Sequence, residues 1–492
     1  MLRADLTDVL NHGRSLYIGG DWVKSTGSDN FDVIVPSTEE LFGHIACATE
    51  ADMNRAVAAA RDAFDNGPWP RMKPAERAAY MIKIAEALEA RSAEAANIWT
   101  SESGAVAGLA QSGGPMAANS FRYYASLAAE YPFEEKHKPA DGDVGLLVRE
   151  PVGVVAAILP WNGPLGLLSF KVAPALLAGC TVIIKMPPEA PYSGYLFAEI
   201  ATAVGLPKGV INVVTADRAA SEVLVRHPDV DKVTFTGSTA AGRRIASICG
   251  ERVARCTLEL GGKSAALILD DYDIDTAAAS ISRSAPVLTG QICASLTRII
   301  VTGKRHDDMV EALASQFSRV QVGDPFEDSS GMGPLAMARQ RERVEHYIAK
   351  GVEEGATLAT GGQRPAHLNR GYYIEPTVFG DVKNDMAIAQ EEIFGPVLSV
   401  IRAEDENDAV RIANDSIYGL NASVFTYDSG HAHDVARRLR SGTVGHNAQR
   451  IDFSIAFGGF KQSGIGREGG REGLLPFLET KTIILDGPNA GG

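Results

Sequence analysis

The sequence predicts an α/β protein built from two parallel-sheet units. Three observations carry this. Between about residues 150 and 250, short apolar runs alternate with amphipathic stretches at helical spacing. The same alternation restarts near 265 and continues to 446. Length agrees: at roughly 150 residues per domain, 492 residues allow about three units.

The elements follow in chain order. Residues 53–66 and 74–103 are rich in Ala, Glu, Arg and Lys, with apolar residues three and four apart, and read as amphipathic helices. Pro74 suits a first helical turn. Another helix is expected over about 115–130. The first alternating set opens with a strand over 152–159, broken by Pro160-Trp161-Asn162-Gly163-Pro164, and a helix runs on to 178. Strands are expected at 181–184, 210–214 and 232–235, with helices at 191–204, 217–226 and 238–248 between and after them. Such alternation places helices on both faces of a parallel sheet, with ligands beyond the carboxyl ends of the strands. In the second set, strands at 265–269, 298–301, 397–401, 422–425 and 443–446 are separated by helices at 274–285, 306–318, 336–354, 405–414 and 429–439. The units join near 259–264. A last strand over 480–485 is short and terminal, and suits pairing outside its own unit.

Composition excludes several classes. Hydrophobic residues at 45% and charged residues at 22% exclude disorder for most of the chain. A net charge of −14 without a basic run argues against nucleic-acid binding and fits a soluble cytoplasmic protein. The N-terminal stretch lacks an apolar core of signal-peptide length. The longest apolar stretch, 172–184, contains Pro174 and Gly179, stops at Lys185, and is too short to span a bilayer. The five cysteines, Cys47, Cys180, Cys249, Cys256 and Cys293, form no Cys-x-x-Cys pair, so neither a zinc site nor a disulfide framework is expected. His431 and His433 fall on different helix faces, and no metal is expected. Glycine is in excess, 50 residues, which suggests tight turns and close approach of backbone to a ligand.

A few residues stand where chemistry is done. Cys293 lies in Gly290-Gln291-Ile292-Cys293, between a helix and a strand, and is either a buried thiol or a nucleophile needing a lowered pKa or a nearby base. Glu259, flanked by Leu258 and Leu260, is either a buried ion-pair partner or a general base with a raised pKa. Asn162 is either a turn residue or an amide donor to a developing oxyanion. Phe235-Thr236-Gly237-Ser238 reads as a strand, glycine turn and helix start that could hold a pyrophosphate. Lys185 ends a strand, where it is either solvated or bonded to ribose hydroxyls.

Together these segments closely resemble the NAD(P)-dependent aldehyde dehydrogenase superfamily, from about residue 16 to 486. The resemblance rests on Pro160-Trp161-Asn162, the Phe-Thr-Gly-Ser turn, Leu258-Glu259-Leu260-Gly261-Gly262, Gly290-Gln291-Ile292-Cys293, Glu391-Glu392-Ile393-Phe394-Gly395-Pro396 and Phe457-Gly458-Gly459-Phe460-Lys461-Gln462-Ser463-Gly464. Cys293 follows Glu259 by 34 residues, as is usual in that family. The resemblance implies a Rossmann-type cofactor domain, an α/β catalytic domain and a small β oligomerisation element. It places them at 1–127 with 150–258, at 259–470, and at 128–149 with 471–492. It implies aldehyde oxidation in which the Cys293 thiolate attacks the aldehyde carbon. Asn162 and the Cys293 N–H would hold the oxyanion. The thiohemiacetal would lose hydride to the nicotinamide, and Glu259 would activate water to hydrolyse the thioester. Lys171 matches a lysine that assists proton relay from Glu.

For the cofactor, the resemblance implies Gly237 and Ser238 at the pyrophosphate, Lys185 at the adenosine ribose, Glu392 at the nicotinamide ribose, Phe394 packing nearby, and Ile158, Trp161 and Leu260 bordering the cleft. NAD-preferring members often carry Glu three residues after this lysine. Here that position is Pro188, with Glu189 one later, so NAD is expected first and NADP second. Gly163, Leu167, Phe170, Ile292, Ala294 and Phe457 match substrate-lining positions, which suggests a medium apolar aldehyde: aliphatic, terpenoid or aromatic. A homotetramer, or else a homodimer, is implied. Two rivals stand beside this reading. A CoA-acylating semialdehyde dehydrogenase would lack the general-base Glu259. A non-catalytic protein of the same fold would not need the Cys293, Glu259 and Asn162 set.

Overall fold

The computed structural model describes residues 6–487, and the chain forms four sheets among them. The largest has eight strands, in the order Gly464–Ile465, Arg255–Glu259, Lys232–Thr236, Val154–Ile158, Thr181–Met186, Ile211–Thr215, Ser15–Ile18 and Asp21–Lys24. Its five middle strands are parallel. Chain order reverses between Val154–Ile158 and Lys232–Thr236, where Phe235 lies opposite Ile158. Such a switch point leaves a crevice outside the carboxyl ends of the strands, because the following helices depart to opposite faces.

Strand Val154–Ile158 shows why the sequence folds this way. All five residues are buried, with Val155 and Ala157 in one apolar cluster and Val154, Ala156 and Ile158 in another. A strand buried on both faces reads as a continuous apolar run, since side chains alternate sides. Ser264–Ile268 repeats the pattern, with Ala265 and Leu267 on one side and Ala266 and Ile268 on the other. It belongs to a seven-stranded sheet ordered Thr357–Thr360, Thr377–Val382, Val397–Ala403, Leu296–Thr302, Ser264–Ile268, Asn421–Phe425 and Thr443–His446. Only Thr357–Thr360 pairs antiparallel there.

The third sheet is antiparallel: Leu478–Leu485 against Val144–Pro151 over eight residue pairs, then Glu134–His137. The terminal strand therefore starts at Leu478, and Gly464–Ile465 returns the chain to the first sheet against Leu258 and Glu259.

Some expectations needed correction. The single helix expected over 74–103 is two, Pro74–Ala90 and Ser92–Ser103. At the break, the Ser92 hydroxyl is within bonding distance of the Leu88 and Glu89 carbonyls, competing with the helical ladder. The strands Glu134–His137 and Val144–Pro151 lie in the β element that the resemblance implied, whereas Ser15–Ile18, Asp21–Lys24, Asn30–Ile34, Leu41–Ala46, Thr357–Thr360 and Thr377–Val382 were not anticipated. Among the described residues no helix is long and apolar enough to cross a membrane. Residues 1–5 and 488–492 of the expected domains lie outside the described residues.

Candidate active site

The segment before Cys293 is held in an uncommon backbone shape. Leu288, Thr289 and Gly290 are all left-handed, with φ of 49°, 55° and 71°. Non-glycine residues there cost free energy, so the surroundings must hold them. The Thr289 hydroxyl is within bonding distance of the Gly333 and Pro334 carbonyls, and a side chain at Gly290 would strike the Gly395 backbone. The Gln291 side chain accepts the Ala336 N–H and donates to the Leu288 carbonyl. These contacts fix the chain as it delivers Cys293 to the half-buried end of the loop. Burial pushes the Cys293 thiol up, the Glu392 and Glu259 carboxylates push it further, and the N–H groups of Ala294 and Cys293 pull it back.

Asn162 meets this loop from the first unit. Its side-chain amide donates to the Gln291 carbonyl at 2.9 Å, two residues from Cys293. The turn carrying it is pinned by Trp99 Nε1 on the Asn162 carbonyl at 2.9 Å and Ser103 Oγ on the Trp161 carbonyl at 2.8 Å. Trp161 then meets the Phe394 ring edge-on at 5.4 Å.

Glu259 ends strand Arg255–Glu259 and is 2% exposed. Neither of its carboxylate oxygens has a hydrogen-bond partner. Burial raises its pKa well above the carboxylate range, Glu468 raises it further, and Lys171 and Arg467 lower it. Lys171, fully buried within helix Pro164–Ala178, pairs with Glu468. Glu468 is brought there by a bridge to Phe457, whose carbonyl accepts the Glu468 N–H at 2.8 Å. Sequence reasoning missed Glu468 because nothing in its neighbourhood marks a buried acid.

The switch-point crevice collects the expected cofactor residues. A Cβ at Gly237 would strike the Phe235 ring, so the turn into helix Thr239–Glu251 must stay bare. Ser238 caps that helix, accepting the Ala241 N–H at 3.3 Å. Ile158 and Lys185 end adjacent strands, and burial pulls the Lys185 ammonium down to about 8. Leu260 is buried and donates its N–H to the Ser463 carbonyl at 2.9 Å. Glu392 accepts the Gly262 N–H at 3.1 Å, and burial lifts its pKa to about 7. Phe394 adopts φ of 61° and is held by the Gln340 amide on its carbonyl at 2.7 Å. Glu189 is held by the Arg339 guanidinium.

The chain matches the aldehyde dehydrogenase family model over residues 22–483. It is 44% identical over 473 residues to geranial dehydrogenase of Castellaniella defragrans, covering 96% of this chain and 98% of that one. It is 43% identical over 478 residues to 3-succinoylsemialdehyde-pyridine dehydrogenase of a Pseudomonas species, covering 96% and 98%. A mutant aldehyde dehydrogenase from Pseudomonas syringae, solved with NAD+ and octanal, superposes with a TM-score of 0.94 at 38% identity, over 99% of both chains. The chain belongs to the aldehyde dehydrogenase family.

In this aldehyde dehydrogenase the expected substrate residues divide. Cys293, Ile292 and Phe453 pack on the buried Ala294, Leu420 and Phe457. Phe170 stacks on Phe453 at 3.8 Å and 7°, and Phe453 leans on Phe457 at 4.6 Å. These rings give the thiol an apolar flank. Ala294 is itself fully buried, and Leu167 packs instead on the core beside the eight-stranded sheet. Gly163 leaves open space, with only the Leu167 side chain near, at 3.8 Å. Phe453, the ring joining the two expected phenylalanines, was not foreseen, because no local pattern marks it. His306, Asp307 and Asp381 also bring potential metal-ligand atoms within 4.8 Å, but the Arg402 guanidinium already binds both carboxylates.

Proposed function

We propose that this aldehyde dehydrogenase oxidises a medium-sized apolar aldehyde, aliphatic, terpenoid or aromatic, to its carboxylic acid, with NAD as first cofactor and NADP as second. The observation that carries this reading is the unpartnered, buried Glu259 carboxylate whose charge is felt at the Cys293 thiol. Burying a carboxyl group without partners costs free energy, and general-base chemistry gives a reason to keep it so.

The residues present fit a dinucleotide. The bare Gly237 turn, the Ser238-capped helix start and the Lys185 ammonium line one crevice at the switch point, and Glu392 closes on Gly262 beyond it. When bound, NAD supplies the hydride acceptor. Gly237 and Ser238 would receive its pyrophosphate, Lys185 its adenosine ribose and Glu392 its nicotinamide ribose, with Ile158, Trp161, Leu260 and Phe394 walling the cleft.

The chain's own residues do the rest. The Cys293 thiol gives up its proton to water, and the thiolate attacks the aldehyde carbon. The Asn162 amide and the Cys293 N–H hold the oxyanion. Oxidation leaves an acyl thioester on Cys293. Glu259 removes a proton from water, which attacks the thioester and releases the acid and the thiol. Lys171, paired with Glu468, assists the proton relay from Glu259: its ammonium hands a proton to the Glu468 carboxylate as it takes the one Glu259 releases. Glu259 speaks against a CoA-acylating enzyme, which has no need of a base for water.

The geranial and octanal recognised by two relatives support an apolar substrate, as does the stack of Phe170, Phe453 and Phe457 beside Cys293. The division proposed is a cofactor unit, 1–127 with 150–258, a catalytic unit, 259–470, and an oligomerisation element, 128–149 with 471–492; the sheets follow it except that Gly464–Ile465 pairs with the cofactor unit's sheet. In that element the long Leu478–Leu485 edge strand, with Ile484 56% exposed, favours pairing with a second copy, in a homotetramer or else a homodimer. Five free cysteines fit a reducing cytoplasm.

The test is a panel of aldehydes with both cofactors, read as NAD(P)H absorbance. Fast turnover of octanal, geranial or benzaldehyde, lost in Cys293→Ala, is expected. Faster turnover of a charged semialdehyde would overturn the substrate assignment.

A further inference from the structure

Glu189 and Arg339 form an ion pair that joins the two α/β units at the crevice. Glu189 lies four residues beyond Lys185, past the carboxyl end of strand Thr181–Met186. Arg339 is the second residue of helix Ala338–Glu353, which lies in the chain between strands Leu296–Thr302 and Thr357–Thr360 of the other unit. The same first turns reach the far side of the crevice: Gln340 donates to the Ile393 and Phe394 carbonyls, and Arg343 donates to the Glu392 carbonyl at 2.5 Å. Arg339 is thus carried on a helix already anchored to the loop that bears Glu392 and Phe394.

The charge pattern around the pair is unusual for a crevice that excludes phosphate. Lys185 lies in the field of Glu189 and Asp217, and no ion pair of Lys185 is found among the described residues. Asp217 already caps a helix, accepting the Ala220 N–H at 2.8 Å. Glu189 already holds a guanidinium. Pro188, which precedes it, has no side-chain group to bond a ribose hydroxyl. In dinucleotide crevices a free acid bonds the 2′-hydroxyl and repels a 2′-phosphate, whereas a nearby arginine accommodates it. Here the one candidate acid is neutralised by an arginine.

We propose that Arg339 is a specificity-determining residue that lets the crevice accept a dinucleotide carrying a 2′-phosphate, by exchanging the Glu189 carboxylate for the phosphate. This rests on the assignment of the Lys185 end of the crevice to the adenosine ribose. The exchange is chemically cheap. Arg339 is 66% exposed, and an exposed pair is weakly held. A phosphate dianion offers the planar guanidinium the same two-pronged geometry as a carboxylate, with about twice the negative charge. With a plain 2′-hydroxyl bound, Arg339 stays on Glu189, so one crevice serves both cofactors.

The experiment is titration calorimetry of the full chain, without aldehyde, using NAD, NADP, adenosine 5′-diphosphate and adenosine 2′,5′-bisphosphate. Wild type, Arg339→Gln, Arg339→Lys and Glu189→Gln are compared, each with its melting temperature checked. Arg339→Gln is expected to weaken NADP and the 2′,5′-bisphosphate by about tenfold, the order of one charge-assisted hydrogen bond, and NAD and the 5′-diphosphate far less. Arg339→Lys should keep part of the lost affinity, and Glu189→Gln should tighten NADP by removing the competing carboxylate. Equal losses for both cofactors in Arg339→Gln would overturn the proposal and leave the pair as a link between units. Equal affinities before and after substitution would overturn it too. A wild type that binds neither dinucleotide would instead sink the proposed function.

Discussion

Lys171 gives its ammonium to Glu468, while the Glu259 carboxylate in the same electrostatic field has no hydrogen-bond partner. Three buried titratable groups therefore divide unequally: one closed pair and one open acid. The arrangement is costly for stability, because only a paired charge recovers part of its desolvation. It leaves Glu259 poised, since its proton can leave without breaking a bond.

Glu468→Gln is expected to strand the Lys171 ammonium in the interior. Breaking a buried pair costs about 3–5 kcal/mol, which a lowered melting temperature would register. The double variant Lys171→Met with Glu468→Leu should recover much of that loss, because both charges leave together. A second readout separates function from folding. Glu468 raises the Glu259 pKa by like-charge repulsion, so Glu468→Gln should shift the acidic limb of the kcat profile toward lower pH. An unmoved limb would show that Glu468 does not act on the base.

Glu259→Gln is expected to stop deacylation while sparing attack by Cys293. The signature is a single burst of NADH with steady turnover reduced by about 10²–10⁴, the span of general-base contributions, and an acyl adduct on Cys293 by mass spectrometry. The pH signs follow from burial. The folded pKa of Glu259 is raised, so wild-type kcat rises with pH above the ordinary carboxylate range, as the base form appears. The stability contribution from this group is full below its unfolded value and is lost as pH rises through the raised folded value. The glutamine variant should flatten both dependences; unaltered steady turnover would refute the role.

Much of this site was legible in the sequence through the family resemblance; strand ends and glycine turns alone left Cys293, Glu259 and Asn162 open to structural roles. Gly237, Gly261 and Gly262 stand where a side chain would meet Phe235, Glu392 or the Cys293 carbonyl, and their spacing in the chain exposes that need. Val154–Ile158 was legible for another reason: a strand buried on both faces must be apolar throughout. Glu468, Phe453 and Arg339 were not legible. Each acts through a long-range contact, to Lys171, Phe170 and Glu189, and no local pattern records a partner hundreds of residues away. The half-exposed strands near the N-terminus were missed on similar grounds, since their pairing supplies the order that their composition does not.

Gly261→Ala tests the close packing of the crevice. The new methyl group would lie 2.5 Å from Glu392 Oε2, so Glu392 must move and its bond to the Gly262 N–H must lengthen. Overpacking of this kind costs about 1–3 kcal/mol. If Glu392 holds the nicotinamide ribose, NAD affinity by calorimetry should fall by about tenfold, which is 1.4 kcal/mol at 25 °C. Affinity for adenosine 5′-diphosphate, which lacks that ribose, should hardly change. Equal losses for both ligands would place the damage in the crevice as a whole.

Phe453→Ala tests the apolar flank of Cys293. Phe453 stacks face to face on Phe170 and leans on Phe457, so its loss opens the wall that both expected substrate residues share. An aromatic contact contributes about 0.5–1.5 kcal/mol beyond its buried area, and one methylene of pocket contact about 1–3 kcal/mol. The kcat/KM for octanal and geranial should therefore fall at least about tenfold on that scale, mainly through KM, with acetaldehyde much less affected because it is too short to reach the ring. A loss of the same size for acetaldehyde and octanal would mean that Phe453 supports the loop rather than the substrate.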